Sequence, residues 1–216
     1  MSPFYRTEKL MLNIYFKKRI LSICTKQEVP VNADERFLLC PDKDYDISQI
    51  PFMMENNLSF QHLIVEVPEN EDEKEFTDRL LSKVVRINAG GGLVTDASGN
   101  YLMIYRNGTW DLPKGMQEDG EDISLTAIRE VEEESGVKAK PVELIKVTNH
   151  AYRIYGPLTV KSIWWYRMVA DENAYTRPQT EEGIEKCEWV TPDDLDYRLA
   201  NTYPSILDVF EAALKK

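Results

Sequence analysis

The chain has 216 residues, of which 43% are hydrophobic and 29% charged, an ordinary globular composition long enough for one large domain or for two unequal ones. No apolar run approaches the roughly 20 residues of a membrane span, and the early apolar segments, broken by Lys17, Lys18 and Arg19, do not read as a secretory leader. A formal net charge of −11 speaks against a broad nucleic-acid face, and the three widely spaced cysteines (Cys24, Cys40, Cys187) suit neither a disulfide framework nor a zinc site but inert thiols, in or near cores, in a reducing cytoplasm.

In chain order, Asn13–Phe16 and Ile20–Thr25 flank a Lys-Lys-Arg tip and predict a hairpin. Loops are expected at Asn32–Glu35 and Pro41–Asp46, strands at Phe37–Cys40 and Leu63–Val67, and an amphipathic helix at Glu71–Leu81 with Phe76, Leu80 and Leu81 inward. These make a small α+β unit over residues 1–86, ending near Ser82–Asn88. A second unit, 87–216, opens with the apolar run Ala89–Thr95, entered through Gly90, Gly91 and Gly92, which read as a close approach of backbone beneath a substrate. Strands follow at Tyr101–Tyr105 and Trp110–Leu112 around the Asn107-Gly108 turn. Beyond a loop and a helix come strands at Val142–Thr148, His150–Tyr155, Thr159–Ala170 and Cys187–Val190. Thr191-Pro192-Asp193-Asp194 has the chemistry of a helix start, and a last helix from near Pro204 turns Ile206, Val209, Phe210 and Leu214 inward. Strands interleaved with a few helices indicate a layered α/β sandwich with a mixed sheet.

The informative segment is Gly115 to Val137: a glycine, Glu121, then Arg129-Glu130-Val131-Glu132-Glu133-Glu134-Ser135-Gly136-Val137. Ser124 or Asp122 can cap the helix and Gly136 can end it in the left-handed region. On a helical wheel Leu125, Ala127, Ile128 and Val131 share an arc of roughly 160°, and Glu130, Glu133 and Glu134 occupy the adjoining one. Three neighbouring carboxylates repel one another, so a cation belongs among them. Magnesium, a hard ion that takes oxygen ligands, fits the donor type and the charge, with manganese the alternative.

This pattern, G-x5-E-x7-R-E-U-x-E-E-x-G-U with U aliphatic, is met at every fixed position and resembles the Nudix box; the resemblance covers roughly residues 87–216 and leaves the N-terminal unit outside. It implies a Nudix-type α/β/α sandwich and hydrolysis of a phosphoanhydride bond by a metal-activated water. The implied metal ligands are Glu130, Glu133, Glu134 and the Gly115 carbonyl, with Arg129 orienting the carboxylates and Glu121 its partner. The general base varies in this family, between the box helix and a later loop; Glu181-Glu182 is the candidate for that loop, with Glu182 preferred. The substrate class implied is a nucleoside diphosphate linked to another moiety, or a related polyphosphate, with no nucleic acid and no membrane involved. The entry Trp110-Asp111-Leu112-Pro113-Lys114-Gly115 is similar to that of members acting on dinucleoside or inositol polyphosphates.

Lys114, beside the box loop, is a candidate phosphate contact. Of Tyr152, Tyr155, Trp164, Trp165 and Tyr166, at most one or two are expected to stack on a nucleobase, Tyr152 being the candidate, and the rest to serve the core or an interface. His62 and His150 read as structural. A homodimer contact or a contribution to the substrate pocket are roles open to the N-terminal unit. The rival to an enzyme is a ligand-sensing or partner-binding protein that keeps the fold with little turnover; an intact carboxylate set argues against it.

Overall fold

The computed structural model describes residues 12–25, 36–42, 44–153, 156–171 and 174–215, which fall into two units, one of Met1–Val85 with His150–Val160 and one of Arg86–Asn149 with Lys161–Lys216. The sequence reading gives His150–Val160 to the second unit. Asn32–Glu35 and Tyr155, named above, lie outside the described residues.

In the first unit β1 (Leu12–Phe16) and β2 (Arg19–Thr25) form the expected antiparallel hairpin, with Lys17 at the tip in the left-handed region (φ 59°). β3 (Arg36–Leu39) and β4 (His62–Val67) complete a mixed sheet in the order β1-β2-β4-β3, β4 running parallel to both of its neighbours. A helix the sequence reading does not foresee, α1 (Ile50–Asn56), starts on Pro51 and buries Ile50 and Met54. At one turn or so beyond its proline, it is too short to show a helical repeat. Helix α2 (Glu73–Leu80) is capped by Asp72, whose carboxylate accepts from the amides of Lys74 and Glu75, and it buries Phe76 and Leu80. Ile14, Leu21, Ile23, Leu63 and Val65 pack with these two helices into one core. Ser22 Oγ, fully buried, lies 2.7 Å from both His62 Nε2 and Asn13 Oδ1, so His62 is a structural partner of the sheet. His150 packs its ring against Tyr15.

The second unit is built on β5 (Val85–Thr95), β6 (Tyr101–Arg106), β7 (Thr109–Asp111), β8 (Lys114–Met116), β9 (Ala139–Tyr152), β10 (Thr159–Ala170) and β11 (Ile184–Val190), of which Val85, the end of β9 from His150 and the start of β10 up to Val160 fall in the first unit. The sheet order is β11-β6-β5-β10-β9, with β7 on β6 and β8 on β5. Asn107 and Gly108, both at positive φ, make the β6–β7 turn. β8 stands where the sequence reading places a loop; three residues that include a glycine carry no strand signal of their own. The segment 142–148 and the described start of the next, 150–152, are joined in one long strand, β9.

Between β8 and β9 runs α3 (Ile123–Ser135), and after β11 come α4 (Pro192–Leu199) and α5 (Pro204–Leu214). Val131 of α3 packs with Val94, Leu102 and Ile104, whereas Leu195 of α4 and Ile206, Val209 and Phe210 of α5 pack with Leu93, Met103 and Trp165. Alternating sheet residues thus face helices on either side, which is the α/β/α sandwich. Leu214, expected inward, is exposed as the last residue of its helix. Cys24 and Cys187 are buried thiols, while Cys40 is exposed rather than in a core. No helix among the described residues is long and apolar enough to cross a membrane.

Candidate active site

Helix α3 begins on Asp122, whose carboxylate accepts from the Ser124 amide at 2.8 Å, and ends on Gly136 at φ 73°, as its sequence predicts. Its rotation does not follow the prediction. Leu125, placed on the buried arc by its apolarity, is 55% exposed, and the buried residues are Thr126, Ala127, Glu130, Val131, Glu134 and Ser135. Their arc is centred about 90° from the apolar one. A wheel drawn by hydrophobicity puts carboxylates outside; here two of them, Glu130 and Glu134, sit in the middle of the buried face, with Glu133 at its exposed edge.

Two glycines allow this. β8 pairs with β5 so that Gly115 stands opposite Gly90. A Cβ on Gly90 would run into the α3 backbone at Ile123 and Ala127, and one on Gly115 would overlap the Glu130 carboxylate. What closes on Gly90–Gly92 is therefore the box helix and the side chains of Trp165, Lys114, Met168 and Val131. Gly115→Ala should cost about 1–3 kcal/mol as an overpacked position. An unchanged urea midpoint would mean that Glu130 swings aside freely.

Arg129 organises one half of the site. Its Nε and one amino nitrogen grip both oxygens of Glu121 at 3.0 Å, the other amino nitrogen donates to Glu130 at 2.7 Å and Glu133 at 2.9 Å, and the Met116 carbonyl accepts from the first. The bidentate pairing pushes the Glu121 carboxyl down to about 2. Burial raises that of Glu130 against the pull of Arg129, with Glu133 and Glu182 adding repulsion.

Glu134 organises the other half. It is 1% exposed; one oxygen accepts from the Lys114 amide at 2.8 Å, and Oε1 has no hydrogen-bond partner, the nearest cation being Arg106 at 3.6 Å. Burial pushes its carboxyl up to about 7. The same Arg106 nitrogen lies 3.6 Å from Glu182. The loop that carries Glu182 is pinned to the end of α3, since the Arg177 amide donates to the Ser135 carbonyl at 2.7 Å and the Gln179 amide to the Glu134 carbonyl at 3.2 Å.

The Lys114 ammonium is held by Asp111 at 2.5 Å and by the Leu112 carbonyl at 3.3 Å. Lys161 of β10, half-buried, belongs to the same charged group: burial and the positive neighbours Lys114 and Arg106 lower its pKa to about 8, against the attraction of Asp111 and Glu134.

The structure therefore assembles Gly115, Arg129, Glu121, Glu130, Glu133, Glu134, Lys114 and Glu182. Tyr152 ends β9 and belongs to the first unit; Trp165 is a core residue whose indole donates to Thr148. Sequence reasoning misses Arg106, Asp111 and Lys161, because they lie on three strands outside Gly115–Val137 and no motif spacing links them to it. The donor set suits a hard divalent cation: all ligand candidates are oxygens, and one buried carboxylate oxygen lacks a partner. Among the described residues no three acidic side chains converge into a ready cage, since Arg129 engages Glu130 and Glu133.

Residues 85–210 match the family model described as NUDIX domain. The chain is 30% identical over 125 residues to a MutT-like protein of Streptomyces ambofaciens, covering 56% of this chain and 75% of that one. It is 28% identical over 109 residues to the mouse (Mus musculus) protein named Nucleoside diphosphate-linked moiety X motif 6, covering 48% of this chain but only 34% of the mouse protein. A solved MutT protein from Methanosarcina mazei Go1 superimposes with a TM-score of 0.46 at 22% identity, over 60% of this chain and 93% of that one.

Proposed function

This chain belongs to the Nudix family, and from that premise we propose that it is a pyrophosphohydrolase acting, with magnesium, on a nucleoside diphosphate linked to another moiety or on a related polyphosphate. The observation that carries the reading is Glu134, a carboxylate taken out of water at the centre of a helix face with one oxygen left unbonded. Such an arrangement is costly for folding and is retained where a ligand completes it. Glu130, Glu133 and Glu134, with the Gly115 carbonyl, would hold the ion, which when bound supplies Lewis acidity and charge neutralisation at the phosphoanhydride oxygens. Arg129 orients Glu130 and Glu133 from behind. Glu182, half-exposed and facing Arg106, takes the proton of the attacking water. The name of the mouse relative and the charge of the site support the substrate class.

Phosphate or nucleotide release from a panel of diphosphates with Mg²⁺ tests this, comparing wild type with Glu133→Gln. A measurable wild-type rate that falls at least a hundredfold in the variant is the expected result, on the scale of a lost charge-stabilising group. Equal, near-background rates across the panel would favour a ligand-sensing protein instead.

A further inference from the structure

We propose that Asp111 and Lys114 are positioning residues, whose buried ion pair holds the turn into β8 so that its backbone fixes the two buried carboxylates of α3. The proposal deepens the hydrolase reading and rests on it for what those carboxylates do, not for how they are held. It also gives Lys114 another task than the phosphate contact suggested by its place beside the box.

The turn is short and shielded from water. Only Leu112 and Pro113 separate β7 from β8, and both are buried. Backbone polar groups taken out of water need partners, and a proline brings no N–H of its own. Two side chains supply the partners of Leu112: its amide donates to Asp111 Oδ1 at 2.8 Å, and its carbonyl accepts from the Lys114 ammonium at 3.3 Å. Lys114 Nζ closes the circle on Asp111 Oδ2 at 2.5 Å, the two side chains being only 11% and 10% exposed. The Pro113 carbonyl accepts from the Gly92 amide at 3.1 Å, which ties the turn to β5.

The turn delivers β8, and each of its three residues meets α3. The Lys114 amide donates to Glu134 at 2.8 Å, the Gly115 backbone lies against the Glu130 carboxylate, and the Met116 carbonyl accepts from Arg129 at 3.0 Å. A strand this short has little pairing of its own to set its place, so the turn before it does. Lys114 serves both ends: its ammonium locks the turn, and its amide holds the most buried acid of the box helix. An ammonium committed to a buried carboxylate is already neutralised, and drawing it out toward a phosphate would strip Asp111 of its partner. The two roles differ in what Asp111 does. Were Lys114 a phosphate contact, removing the Asp111 charge would free the ammonium and tighten the substrate; in a positioning pair, removing either charge has the same effect.

The test compares amide hydrogen exchange of the full chain, without metal, in wild type, Asp111→Asn and Lys114→Met, each variant losing one charge and keeping its side-chain length. In both variants the amides of Lys114 and Gly92 should lose about tenfold in protection, while that of Phe210, inside α5, keeps its own. In turnover of a diphosphate with Mg²⁺, kcat should fall about tenfold in both variants with KM within about twofold of wild type, and the double variant should be no worse than the poorer single one. Unchanged protection at Lys114 and Gly92 in Asp111→Asn, an equal loss at Phe210, or a KM that Lys114→Met raises and Asp111→Asn lowers would each overturn the proposal, the last by assigning Lys114 to the phosphate. Should Lys114→Met not fold, Asp111→Asn decides through the same two amides. A wild type without turnover would end the hydrolase reading and leave the exchange result standing.

Discussion

Replacing Glu134 by glutamine is expected to abolish turnover and, without metal, to stabilise the fold. Its oxygen is the most buried of the acidic donors, and losing its charge at a metal-assisted phosphoryl centre removes about 4 kcal/mol of barrier lowering, on the order of a thousandfold in kcat/KM. The stability effect has the opposite sign. The folded carboxyl holds its proton up to about 7, against 4.5 in the ordinary state, so between those values the native protein binds more protons than the unfolded chain. Stability of the wild type therefore falls as pH rises from about 4.5 through 7, and the Glu134→Gln variant does not share the loss. In chelator-treated protein the variant and wild type should melt together near pH 4.5. Above pH 7 the variant should be ahead by at most about 3 kcal/mol, from roughly 1.4 kcal/mol per pKa unit. Melting curves in EDTA at pH 4.5 and 8 check this; a variant that is less stable at pH 8 would show that Glu134 is not strained by its burial.

Arg129→Met should be the most destabilising single change in the site. One guanidinium serves Glu121, Glu130, Glu133 and the Met116 carbonyl, and its loss leaves the three carboxylates without their shared counterion. Opening a buried pair costs about 3–5 kcal/mol; Arg129 is a quarter exposed, so about 3 kcal/mol is expected, or on the order of 10 °C in Tm. The pH dependence identifies the cause. Glu121 is depressed to about 2, so its contribution is present above 4.5 and is lost as pH falls through about 2. The gap between variant and wild type should therefore narrow on acidification below pH 4.5. A gap that stays constant with pH would assign the loss to packing of the arginine stem instead.

Much of the architecture was legible in the residues, because period-two and period-3.6 patterns, the Asn-Gly turn and the caps at Asp122 and Thr191 are all local signals. The box was legible too, as spacing on one helix. What the residues concealed was non-local. Apolarity misjudged the rotation of α3, since a helix that buries carboxylates breaks the assumption that burial follows hydrophobicity. Gly90–Gly92 announced a close approach, but the partner that approaches is α3 itself, 30 or more residues away. The ion pair of Arg106 with Glu134 joins β6 to α3, a meeting no short window along the chain contains.

The attachment of the 177–182 stretch to the end of α3 is made by peptide groups, not side chains. Its composition is thereby left free while its length is not. Any side chain at Arg177 preserves the anchoring amide, short of proline, whereas one residue inserted between Gln179 and Glu182 would carry that carboxylate out of register with Arg106. Related chains that differ here in every letter but not in count could share one working geometry, and a gap in an alignment at this point would signal a change of chemistry where a mismatch would not.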